Sequence, residues 1–214
     1  MKRRLGGLTL ALALLFTLPA CAGEGEPSPA PAPLTAAEAV AGGWSYSGDL
    51  PDVIRVEIAL PVVREDLPGA EEVNGQIDAD YGEYAEAAES SGLEGIAALR
   101  DGSGFAYPFL HLWYEAYSFG DIIEVCIIGE EYSLYGSGPS RWVSRYYYHA
   151  AEARAATEAE FLAEAGYSEE SVLAAFLDEQ VMEEDPTDYT YEDIRDAYYI
   201  DGEKNLHFWV SLYA

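Results

Sequence analysis

The sequence predicts an α+β fold: an antiparallel β-sheet with helices packed on one face, in the order β-α-β-β-β-α-α-β-β. Three observations predict it. Residues 53–60 alternate apolar and polar, residues 70–88 are apolar at three- and four-residue spacing, and residues 105–149 are dense in β-branched and aromatic side chains. The folded part is long enough for one domain with a core of its own.

The first strand follows from Ile54, Val56, Ile58 and Leu60, which fall on one side, and Pro61 is expected to stop it. In the next segment Val73, Ile77, Tyr81, Tyr84 and Ala88 form one helical stripe, with Glu, Gln and Asp opposite. Ser91-Gly92 interrupts that period before Leu93–Leu99 resumes it. Phe105–Phe119 and Ile122–Tyr132 are two strands of a hairpin turned at Gly120-Asp121. The glycine-rich loop 135–140 leads to a third strand, Arg141–His149. Thr157 with Glu160 makes a capping box for a short helix, and Ser168 caps the next. Thr190 opens a further turn, and 197–200 with 206–213 form a closing hairpin.

Charge narrows the partners. The chain has 39 acidic against 11 basic residues, a net charge of -28, which excludes phosphate-backbone binding and so a nucleic-acid partner. Cationic partners are steered towards such a surface, although acidity alone also serves solubility. Half the residues are hydrophobic, which excludes a largely disordered chain.

The N-terminus reads as an address. Lys2, Arg3 and Arg4 precede an uncharged Leu- and Ala-rich run to Leu18, too short to span a bilayer. Leu18-Pro19-Ala20-Cys21 is similar to the bacterial lipobox, in which the cysteine is diacylated, with palmitate-type chains, and becomes the first residue; ordinary cleavage after Ala22 is the alternative. The expected organisation is a signal peptide over 1–20, acylated Cys21 heading an Ala/Pro-rich tether over 21–42, and a domain over 43–214 on the outer face of the cell membrane. Two acyl chains anchor stably where the acidic protein face is repelled by anionic lipid. Cys126, in an apolar strand, is then an unpaired core residue.

Several pieces in order resemble the extracytoplasmic domain of the RsiV anti-sigma factors, which also occurs in Firmicute lipoproteins and beside peptidoglycan deacetylases. They are the strand ending Leu60-Pro61, Asn74-Gly75-Gln76-Ile77 opening the first helix, the segment 132–138, and Tyr147-Tyr148-His149 leading to Thr157–Phe161. The hairpin 198–213 completes the series. His149 stands where the family has Asp, and no sigma-binding segment is present, so an anti-sigma role is not implied. The resemblance implies a non-enzymatic cell-surface binding domain whose partner is a cationic protein such as lysozyme or a cell-wall component. The deacetylase association implies the alternative, an accessory or degenerate enzyme of peptidoglycan metabolism.

Sites of chemistry are sparse. His111, His149 and His207 lie in separate strands without metal-ligand spacing, so neither a metal centre nor a cofactor is expected. Asp78-Ala79-Asp80 lacks the later ligands of a calcium loop, while the acidic stretch 183–188 is a weak calcium candidate or a solvated loop. Ser103 and Ser137 sit between glycines but not in a nucleophile elbow, and no catalytic constellation emerges. Aromatic residues remain. Trp142, Tyr146 and Tyr148 alternate against Arg145 and Tyr147, either packing the sheet or offering a partner an aromatic surface. The ligand-binding candidates are Tyr135, Ser137 and Trp142.

Overall fold

The structure, a computed structural model, describes residues 32–50, 54–101, 109–132, 139–179 and 189–208. In chain order the elements are α1 (Ala36–Ala39), β1 (Val40–Leu50), β2 (Ile54–Val63) and α2 (Ala70–Asp101). They continue as β3 (Phe109–Phe119), β4 (Ile122–Tyr132), β5 (Pro139–His149) and the two-residue β6 (Arg154–Ala155). Then come α3 (Glu158–Ala165), α4 (Glu169–Glu179), α5 (Tyr191–Ile194) and the hairpin β7 (Tyr198–Ile200) with β8 (Leu206–Phe208). The class is mixed α+β, as the sequence predicts, but α1, β1, β6 and α5 are additions to the expected order.

The compact unit begins at Pro33, ten residues before the expected boundary at 43. Ala36 and Ala39 are buried, the Ala36 N–H donates to Ser118 Oγ at 2.6 Å, and the Ala39 carbonyl accepts from the Arg64 N–H at 2.8 Å. Alanine lets a helical turn lie close against the sheet, so a segment without large apolar residues still joins the core. Thr35 and Glu38 close a capping box at its start.

Six strands pair in sequence order, β1 to β6. All neighbours are antiparallel except β2 and β3, which run parallel with Val56 opposite Leu110 and Ile58 opposite Leu112. This corrects the wholly antiparallel expectation. β2 and β3 are joined by α2, and a helical crossover returns the chain to the end where it started, which makes parallel pairing the natural outcome. The Asn74 side chain fixes the start of that crossover. Its Oδ1 accepts from the Val63 N–H at 2.9 Å and its Nδ2 donates to the Val63 carbonyl at 2.8 Å. Gly92, at φ 60° and ψ -142°, breaks α2 into two helical stretches, a backbone conformation that side chains disfavour.

Helices cover both faces of the sheet, not one. On the first face Val56, Leu110, Leu112, Val125 and Tyr148 pack against Val73, Ile77, Tyr81 and Ile96 of α2. Alternation turns the neighbours of these residues the other way. There Phe119, Ile122 and Tyr147 pack against Phe161 and Leu162 of α3, Val172 of α4, Ile194 of α5, and Tyr198 and Ile200 of β7. The central strand β4 is buried from Ile122 to Gly129, so it reads as a continuous apolar run interrupted by one charge, Glu124. Among the described residues no helix is long and apolar enough to cross a membrane.

Candidate functional site

Of the residues marked by the sequence, Tyr135 and Ser137 lie outside the described residues, as does the acidic stretch 183–188. Trp142 belongs to the packing between the sheet and α2. Its Nε1 donates to Tyr81 Oη at 3.3 Å, and its ring lies over Gly129, where an added Cβ would come within 2.1 Å of it. The strand alternation read from the sequence is present, and it assigns Trp142 to the covered face.

The three histidines have different neighbours. His111 stacks on Trp113 with ring centroids 4.6 Å apart, His149 faces Glu152 at 3.7 Å, and His207 meets Asp201 at 2.8 Å. Asp78 and Asp80 are helical residues of α2. Among the described residues no group of three or more His, Cys, Asp or Glu is placed to hold a metal ion.

A cleft of about 360 Å³ lies along β5, between Asp80 of α2 and the α5 region with Glu192, Arg195 and Asp196. Strand pairing explains its position. β6 pairs with β5 only at Tyr148 and His149, so the rest of that edge has no strand beside it among the described residues. The Ala156 N–H donates to the Tyr147 carbonyl at 2.9 Å, which shows that Tyr147 presents its main chain to this side. By the same alternation Val143 and Arg145 present theirs to the open edge.

Charges in the cleft are unequally matched. Glu158 is satisfied: its Oε1 accepts from Tyr191 at 2.8 Å and Tyr198 at 3.1 Å, and its Oε2 meets Arg195 Nε at 2.7 Å. Arg145 turns inward. Its Nη1 donates to the Arg195 carbonyl at 2.6 Å, its guanidinium lies 4.4 Å from the centre of the Tyr198 ring, and its Nε is 3.5 Å from Glu124. Arg195 is therefore engaged, whereas Arg145 Nε and Nη2 are buried without a hydrogen-bond partner among the described residues. Asp80 holds only the Tyr146 hydroxyl at 2.7 Å, Glu192 is 3.7 Å from Arg195, and Asp196 has no ion-pair partner among the described residues. Asp80 and Asp196 are thus the carboxylates of the cleft without an ion-pair partner among the described residues.

Beneath it is a buried polar cluster. Burial pushes the Glu124 carboxyl up to about 7, against the opposing pull of Arg145. Neither oxygen of Glu124 nor the Tyr147 hydroxyl has a hydrogen-bond partner among the described residues. Tyr147 is 6% exposed and lines the cleft. Burial also pushes the Cys126 thiol well up, so it stays protonated and unreactive.

A second depression, shallower and about 370 Å³ in volume, lies over β1–β3 beside Ser45, Ser47, Glu57 and Trp113. Its one carboxylate, Glu57, is already paired with Arg55. The sequence left the cleft unseen because its walls come from residues about 50 to 115 positions apart, and Glu192 and Asp196 carry no motif of their own. The alternation of Arg145 with Tyr146 was the available signal.

No family model matches the chain, and a search of curated proteins finds no match.

Proposed function

We propose that this chain is a cell-surface lipoprotein, anchored through acylated Cys21, whose RsiV-like α+β domain binds a cationic extracytoplasmic partner without catalysing a reaction. The observation that carries the binding half is the cleft beside β5, where Asp80 and Asp196 have no ion-pair partner among the described residues. In a chain of net charge -28 these carboxylates sit in a field that draws cations from a distance. The sequence supports the anchor: a basic start, a short apolar run and Leu18-Pro19-Ala20-Cys21.

The separate settings of His111, His149 and His207 favour binding over an accessory role in peptidoglycan chemistry. Metabolic labelling with palmitate in a Gram-positive bacterial host tests the anchor. Label in the wild-type chain and none in Cys21→Ser is the expected result; equal labelling contradicts it. Titration with lysozyme, a cationic protein, tests the binding half. Saturable one-to-one binding is expected, and its absence withdraws lysozyme as partner.

A further inference from the structure

An acidic cleft accepts many cations, but this one has a feature that selects among them: its floor is the edge of a strand. Arg145 presents its main-chain N–H and C=O groups there and Val143 presents its own further along the same edge, with no strand paired to them among the described residues. An open edge of this kind is a template for an added strand. Asp80 stands on the side of α2, and Glu192 and Asp196 on the side of α5. Successive side chains of an extended peptide point to opposite faces, so neighbouring residues of an added strand would meet these two acidic walls in turn.

We propose that the cleft receives an extended basic segment of the cationic partner, which adds as a strand to β5 at Val143 and Arg145 and sets adjacent basic side chains against Asp80 on one side and Glu192 and Asp196 on the other. This rests on the cationic-partner reading above and adds the mode and place of binding. A partner protein suits the cleft better than a second copy of this chain, because two chains of net charge -28 repel each other.

The test uses the full-length chain in detergent and a fluorescent hexapeptide, Val-Lys-Arg-Val-Lys-Arg. A second peptide of the same sequence carries N-methyl groups on alternate amides, which removes the strand donors and keeps every charge. Binding is measured for wild type, for Asp80→Asn/Asp196→Asn, and for Trp113→Ala in the shallow depression.

The proposal expects the peptide to bind and to compete with lysozyme. N-methylation and the double Asn variant each weaken it by about tenfold, while Trp113→Ala leaves it unchanged. Equal binding of the two peptides overturns strand addition, leaving attraction by charge alone. Lysozyme binding that the double Asn variant and the peptide leave untouched overturns the cleft but spares the partner reading. Failure of both lysozyme and peptide overturns both.

Discussion

Arg145 Nε lies 3.5 Å from Glu124 Oε1 in the interior, with the two side chains 5% and 0% exposed. The pair joins the middle of the sheet to its covering layer, because Arg145 also donates to the Arg195 carbonyl. A contact of this length without a hydrogen bond repays little of the desolvation of two charges, yet removing one partner leaves the other buried alone. Arg145→Met is expected to cost roughly 3–5 kcal/mol in urea unfolding at pH 8. Adding Glu124→Leu should recover most of that loss. A double variant as unstable as the single one contradicts the pairing.

Glu124 also gives stability a pH dependence. Its carboxyl is raised from 4.5 to about 7 by burial, so the folded chain holds this proton more tightly than the unfolded one. The contribution is fully present below about pH 4.5 and is lost as pH rises through about 7, amounting to about 3 kcal/mol at most. Glu160 has the opposite sign: Arg154 holds it down at about 2, and its contribution fades only as pH falls below 4.5. The windows do not overlap. Unfolding between pH 5 and 8 should show a steeper loss with rising pH in wild type than in Glu124→Gln, which shares every other charge; identical slopes contradict the assignment.

Gly129 and Trp142 form a packed pair across β4 and β5. Gly129→Ala places a methyl group 2.1 Å from ring atoms of Trp142, so the indole must move. The expected loss is about 1–3 kcal/mol, accompanied by a changed near-ultraviolet circular dichroism signal. Trp142→Phe in the same chain should relieve part of the loss. Wild-type stability and spectrum in Gly129→Ala would contradict the close approach.

The alanine-rich start of the packed unit makes a separate prediction. Starting the chain at residue 43 removes the buried Ala36 and Ala39, their hydrogen bonds to Ser118 and Arg64, and the pairing of Val40 with Val63. Compared with a chain starting at residue 33, it should be less stable by about 2–3 kcal/mol, from hydrogen bonds worth about 1 kcal/mol each. Equal melting temperatures would mean that α1 contributes nothing.

Much of this fold is legible in the sequence where one face of an element is buried. The alternation of Ile54, Val56, Ile58 and Leu60 and the stripe from Val73 to Tyr81 point to β2 and α2. The alternation from Trp142 to His149 orders the faces of β5. Elements whose contacts are made by small or polar residues stay hidden. α1 is three alanines and a glutamate, β1 carries Trp44 and Tyr46 on a strand interrupted by Gly42, Gly43 and Gly48, and the parallel pairing of β2 with β3 depends on where α2 returns the chain. The cleft is a product of tertiary structure. Nothing local distinguishes Asp80, Glu192 or Asp196 from the other acidic residues of so acidic a chain.

The central claim is recognition of a cationic partner, and its most direct test is calorimetric titration of the full-length chain with lysozyme at low salt and at ~0.15 M salt. A one-to-one complex that persists at the higher salt and is weakened by Asp80→Asn/Asp196→Asn is the expected result. Binding that disappears at the higher salt, or that ignores these two carboxylates, would contradict specific recognition at the cleft and leave acidity as a property of the surface as a whole.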